Sequence, residues 1–181
     1  MQKRLLILLS IVTLILLGAC SNSSPEEDKQ EMDHSTMNHS SSGNLPDGIK
    51  ESENPAFPVG SEAILKEGHM DGMKGATATI VGAYETIAYS ITYTPTDGGD
   101  PVEDHKWVIQ EEVEEATGDE ALEPGTKVTV NADHMDGMNG ALAEIDSAEK
   151  TTVYMIDYTP TNGGDKVTNH KWVTDDELSE K

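Results

Sequence analysis

The chain has 181 residues, 34 of them acidic and 12 basic, for a net charge of −22. A surface that acidic repels phosphate backbones, which argues against nucleic acid, and it disfavours simple adhesion to anionic lipid; it is compatible with collecting cations. One cysteine in the whole chain excludes an intramolecular disulfide.

In chain order, Lys3 and Arg4 precede an apolar run, Leu5–Leu17. The run is too short for a comfortable membrane span and has the length of a signal core. Leu17-Gly18-Ala19-Cys20 has the form of a bacterial lipobox, so residues 1–19 are expected to be a lipoprotein signal peptide. Cys20 then becomes the acylated first residue of a mature chain held on the outer face of the cell membrane. The other reading is an ordinary cleaved signal with an incidental Cys. Losing Lys3 and Arg4 takes the net charge to −24.

Residues 20–55 are rich in Ser, Asn, Glu and Asp. Such a segment buries too little apolar surface to offset its ordering entropy, and reads as a disordered tether. Within it Met32, His34, Met37 and His39 fall in eight residues. Packing does not explain Met in a polar tether, which makes the four a candidate metal-capture cluster.

Beyond the tether the sequence repeats with a constant offset of 65 residues. His69-Met70-Asp71-Gly72-Met73 returns as His134-Met135-Asp136-Gly137-Met138, and Tyr93-Thr94-Pro95-Thr96 as Tyr158-Thr159-Pro160-Thr161. His105-Lys106-Trp107-Val108 returns as His170-Lys171-Trp172-Val173. Phe57–Val113 and Leu122–Leu178 share 27 identities in 57 positions, so two small units are expected, at residues 56–114 and 121–179.

Each repeat predicts four or five strands. Ser61–Glu67 and Lys127–Ala132 read as the first, and Ala76–Val81 as the second. Thr86–Thr94 alternates, with Ile87, Tyr89, Ile91 and Tyr93 on one face, and predicts a half-buried third strand. His105–Ile109 and His170–Thr174 read as the fourth. Asp-Gly and Gly-Gly pairs mark turns, and Pro95 and Pro160 end the long strands. The expected class is all-β, with two tandem small antiparallel barrels. An SH3-like barrel is the first choice and an OB-like barrel the second. Trp107 and Trp172 are expected to be the largest pieces of the two cores, and short helical turns are expected in the acidic stretches Glu111–Glu115 and Asp175–Glu180.

Thioether and imidazole together suit Cu(I) or Ag(I) and are poor ligands for Mg or Ca. The Gly turn could aim Met70 and Met73 at one ion, with His69 or His105 as third donor, and likewise Met135, Met138, His134 and His170. His105 and Trp107 are two apart on a strand and hence on one face, where Trp107, like Trp172 in the second repeat, could cap a cation. Equally, Met70 and Met73 could fill gaps in a small core, Trp107 could be core, and His105 could bond to backbone. No Ser-His-Asp or Cys-His set is apparent, so catalysis is not expected.

A lipobox, a Met/His tether and tandem units reading H-M-x-G-M-x-G-A … Y-x-P-T-x-G-G … H-K-W-V resemble the YdhK-like surface lipoproteins of Gram-positive bacteria, and are similar to the copper-binding lipoprotein CopL. The resemblance implies an extracytoplasmic lipoprotein, in some cases linked to copper tolerance. The function expected here is copper (Cu(I)) binding for sequestration or tolerance. The expected partners are the membrane, through the anchor, and a copper exporter or oxidase. The alternative is a non-catalytic envelope module that binds a peptide or cell-wall polymer through the Tyr-Thr-Pro-Thr loops beside Trp.

Overall fold

The structure is a computed structural model that describes residues 40–181. Eight antiparallel strands make a single sheet: β1 (Lys50–Glu51), β2 (Glu62–Leu65), β3 (Thr77–Thr94), β4 (Val102–Ile109), β5 (Lys127–Thr129), β6 (Leu142–Tyr158), β7 (Val167–Thr174) and β8 (Leu178–Glu180). Two 3-10 turns, Gln110–Glu112 and Asp175–Glu177, follow β4 and β7. They stand where the sequence predicted acidic helical turns.

β3 and β6 dominate. The sequence predicts a break in β3 between Val81 and Thr86, but the strand runs straight through. Gly82-Ala83-Tyr84-Glu85 lacks the Asn, Asp or Pro that would reverse the chain there, and the equivalent Ser147-Ala148-Glu149-Lys150 has no Gly either. Gly82 serves a close approach instead, since a Cβ at this position would overlap the Tyr84 side chain. Because neither strand can turn back, each finds its antiparallel mate in the other repeat. β3 pairs with β6 along its length, from Ala78↔Tyr158 through Ile80↔Ile156 and Ile91↔Ile145 to Thr94↔Leu142. Adding 65 to one partner and subtracting it from the other reproduces the register, so the repeats are related by a local two-fold axis through the β3–β6 pair.

The consequence is exchange. In lobe A, β2 and the first half of β3 meet the last half of β6, β7 and β8; Ala63, Leu65, Met73, Ala76, Ala78 and Ile80 pack on Tyr154, Ile156, Tyr158, Val167, Val173 and Leu178. In lobe B, the last half of β3 and β4 meet β5 and the first half of β6; Ile87, Tyr89, Ile91, Tyr93 and Val108 pack on Val128, Val130, Met138, Ala141 and Ile145. β8 closes against β2 in lobe A, and Val113 bridges Val130 in lobe B.

The antiparallel all-β class expected from the sequence is present. The sheet, however, is not closed, its path running β5-β6-β3-β2-β8, and each apolar core draws on both repeats. The alternating strand 86–94 is buried on both faces at its middle rather than on one, because Ala88 joins a third cluster with Tyr84, Trp107, Ile109, Val153, Met155 and Trp172. Both indoles belong to that cluster, not to the lobes where they were expected as the largest pieces.

Candidate metal site

The two His-Met-Asp-Gly-Met segments form tight turns, with the Met73 amide donating to the Met70 carbonyl (3.2 Å) and Met138 to Met135 (3.2 Å). Gly72 and Gly137 sit at φ +79° and +72°, where L side chains are strained. Each turn is held by the Tyr-Thr-Pro-Thr loop of the other repeat. The Thr161 amide donates to the Gly72 carbonyl (2.9 Å) and the Thr96 amide to Gly137 (2.8 Å), and both Thr hydroxyls reach the same carbonyls. A Cβ on Gly137 would lie 2.9 Å from the Pro95 ring carbon, and one on Gly72 equally near Pro160. Thus the two most conspicuous repeated motifs are one structural unit, built between repeats.

The turn separates its methionines. Met73 and Met138 are 0% exposed inside lobes A and B, which is the core-filling role. Met70 and Met135 are only partly buried, at the rims of the same cores. The arrangement in which both thioethers of one turn converge on one ion is therefore replaced by one rim sulfur per lobe. Near Met135 the Tyr93 hydroxyl donates to Sδ at 3.9 Å. Burial, and then the charge of Asp97, push the Tyr93 phenol up; burial takes Tyr158 to about 12. Both stay protonated donors near neutrality.

The histidines regroup across repeats. His105 stands edge-on to Tyr93 (ring centres 5.8 Å apart) and 6.5 Å from His134 of the second repeat. His170 stands 5.7 Å from Tyr158. Where the sequence offered His69 or His105 as the donor to join Met70 and Met73, strand exchange carries His105 into lobe B beside His134 of the second repeat. His105 and Trp107 also part company. Tyr89↔Val108 and Ile91↔His105 are successive partners, so β4 spends one more residue than β3 over this stretch. That bulge reverses the alternation. Trp107 then lies 6.5 Å from His69 of lobe A, and Trp172 lies 6.4 Å from His134. The indole faces carry lysines, Lys106 Nζ 5.3 Å above Trp107 and Lys171 Nζ 5.7 Å above Trp172.

Sequence reasoning missed two carboxylates. Glu177 Oε1 is 2.6 Å from His69 Nε2, and Glu112 Oε1 is 2.8 Å from His134 Nε2. Their second oxygens accept the Trp107 and Trp172 indole N–H groups (2.9 and 3.1 Å) and the amides of Thr174 and Ile109. Burial raises the Glu177 carboxyl, but the hydrogen bonds it accepts from His69, the Thr174 amide and Trp107 outweigh it and hold the group below the usual range. The signal was present: Glu112 and Glu177 are identical at the 65-residue offset. It was lost among neighbouring acids.

Among the described residues no three of His, Cys, Asp and Glu converge as a metal cage. What lobe B does hold is a chain of contacts, His134 to His105, His105 to Tyr93, and the Tyr93 hydroxyl to the Met135 thioether. Met32, His34, Met37, His39 and Cys20 lie outside the described residues.

Fold and site together define a class: an all-β tandem-repeat protein whose repeated motifs meet between repeats. Residues 59–110 and 124–175 match the family described as "Protein of unknown function (DUF1541)", and the chain belongs to that family. It is 53% identical to the "Uncharacterized protein YdhK" of Bacillus subtilis (strain 168), over 99% of this chain and 90% of that one. The crystal structure of that DUF1541 family protein from Bacillus subtilis is 61% identical and matches with a TM-score of 0.77, over 82% of this chain and 100% of the other. A solution structure of the ydhK C-terminal domain, 63% identical, matches with a TM-score of 0.65 over 69% of this chain and 94% of that one.

Proposed function

We propose that this chain is an extracytoplasmic lipoprotein, anchored through acylated Cys20, that binds Cu(I) outside the cell for sequestration or tolerance. The observation that carries the reading is the meeting of His105 and His134 at 6.5 Å, with Tyr93 packed on His105 and its hydroxyl donating to Met135 Sδ. Two imidazoles that share one ion through metal–nitrogen bonds of about 2 Å have ring centres about 6 Å apart. A neighbouring uncharged thioether favours a soft monovalent ion over Mg or Ca. The tether cluster Met32, His34, Met37 and His39 would supply a second, sequence-local capture point. A copper exporter or oxidase would be the recipient.

The envelope-module alternative draws less support. Its Tyr-Thr-Pro-Thr loops spend their backbone on Gly72 and Gly137, and its indoles are buried.

The test is competition with a chromogenic Cu(I) chelator at micromolar protein. The mature chain should withdraw more than one equivalent of Cu(I). His105→Ala should weaken the lobe B site by roughly tenfold or more, the order expected when a ligand or its support is lost. A mature chain that withdraws no Cu(I) removes the function.

A further inference from the structure

The two His–Glu–Trp triads point to a specific ligating atom. We propose that Glu112 and Glu177 are positioning residues that hold His134 and His69 in the tautomer with hydrogen on Nε2, so that Nδ1 of each ring is the nitrogen offered to a soft monovalent cation. The inference rests on the copper reading above and names the atoms that carry it.

An ionised carboxylate only accepts, so the 2.6 Å and 2.8 Å contacts require hydrogen on Nε2 of His69 and His134. The side chain of His134 is only 5% exposed and that of His69 13%. Nδ1 of both rings is buried and has no hydrogen-bond partner. A neutral imidazole with Nε2–H carries a lone pair on Nδ1, the form a metal ion requires. If Nδ1 bore a hydrogen, in place of the one on Nε2 or in addition to it, each ring would bury an orphaned donor.

The carboxylates are fixed in this role. In Glu112, Oε2 accepts from Trp172 Nε1 (3.1 Å) and the Ile109 amide (3.2 Å). In Glu177, Oε2 accepts from Trp107 Nε1 (2.9 Å) and the Thr174 amide (3.0 Å). With one oxygen held by indole and backbone, the other is aimed at imidazole and cannot swing round to bind the ion itself. A ligating histidine whose second nitrogen donates to a carboxylate is the general means of setting ring orientation and basicity at metal sites. Each triad is also built across the repeats: Glu177 of the second repeat serves His69 of the first, and Glu112 serves His134. The exchanged strands therefore assemble the ligand as well as the core.

The experiment is two-bond 1H–15N correlation NMR on the 15N-labelled mature chain, first metal-free and then with Ag(I), paired with the Cu(I) competition titration. The metal-free protein should show His69 and His134 with hydrogen on Nε2. Ag(I) should move Nδ1 of His134 and leave Nε2 bonded. Glu112→Gln, whose amide donates to the ring, should shift hydrogen to Nδ1 of His134 and weaken Cu(I) binding at that lobe about tenfold or more, while His69 keeps its tautomer. Hydrogen found on Nδ1 of His134 in the wild-type protein overturns the inference whether or not any variant folds. Ag(I) that shifts only Met methyls or tether signals also overturns it, while the copper function stands. Absence of both Cu(I) competition and Ag(I) shifts removes the function and the inference together.

Discussion

Lobes A and B carry the same repeated motifs at the same offsets, yet they differ in what covers them. In lobe A, Ser40–Asn44 lies along β7. The Ser41 amide donates to the Thr168 carbonyl (3.0 Å), the Thr168 amide to Ser40 Oγ (3.0 Å), Ser41 Oγ to the Asn169 carbonyl (2.6 Å) and Lys171 Nζ to the Asn44 carbonyl. His170 beneath this stretch is 6% exposed. In lobe B, the equivalent Glu103 and Asp104 are exposed, and His105 and Lys106 are half-buried. The repeat supplies the chemistry, and the segment that enters the first repeat decides how open each copy is. By this comparison His105 in lobe B is the accessible member of its pair, and His170 in lobe A the covered one.

The cores should be the point at which the lobes behave alike. Met73→Ala and Met138→Ala each empty a fully buried position, and each should cost about 2–5 kcal/mol, the range for large-to-small core changes. Because β3 and β6 run through both lobes, either variant should lower one shared transition in urea, monitored by tryptophan fluorescence. Two separate transitions would show that the lobes unfold independently. Met135→Leu, at the rim, should leave that transition nearly in place and act on metal binding alone.

A titratable group distinguishes the lobes next. Asp157 in lobe A accepts from the Asn169 amide (2.8 Å) and from Lys166 Nζ (2.9 Å). Its lobe B counterpart is Thr92, which accepts from the Asp104 amide at 3.3 Å. Burial raises the Asp157 carboxyl, but the Lys166 hydrogen bond, the Asn169 amide and the Lys166 charge outweigh it and hold the group below the usual aspartate range. With the folded value depressed, the unfolded chain binds the proton more readily. The contribution is therefore full above the unfolded pKa, about 3.9, and is lost as pH falls through the folded value. Asp157→Asn should destabilise at neutral pH and become nearly silent in acid, whereas Thr92→Ala should show no such pH dependence. Urea midpoints at both pH values for the two variants measure it. A penalty for Asp157→Asn that persists in acid would mean that the hydrogen-bond geometry matters and the charge does not.

Much of this was legible in the sequence, and what was not has identifiable causes. Alternation and Pro95 marked the end of β3, and the offset of 65 residues gave β2, β5, β4 and β7 their approximate places. The exchange of strands was illegible because the halves of one repeat complement the other repeat as well as their own. Only the missing turn chemistry at Gly82–Glu85 and Ser147–Lys150 favoured a straight strand, and that is an absence, easily passed over. The bulge before Val108 broke the assumption that His105 and Trp107 share a face. Met70 and Met73 looked equivalent as donors, yet three residues around a Gly turn put one at the rim and one in the core. Glu112 and Glu177 were visible only as two acids among 34; their role comes from the indole and imidazole that converge on them.

The smallest effect should come from loosening the cover itself. Lys171→Met keeps the buried stem of the side chain but removes the ammonium that donates to the Asn44 carbonyl and lies over Trp172. Losing one charged hydrogen bond at this buried lysine should cost about 1.5–3 kcal/mol, at the low end of the core variants. Its use lies in where the change appears. Amide exchange at Ser41 and Thr168 should quicken, because those two hydrogen bonds hold the segment to β7, while exchange along β4 should stay as it was. If coverage sets the difference between the lobes, the same variant should bring the rate of Ag(I) uptake in lobe A, read at His170, closer to that at His105 in lobe B. Uptake at His170 that stays unchanged while the segment frays would place the inequality within the lobes, in differences such as Asp157 against Thr92, and would end the argument from coverage.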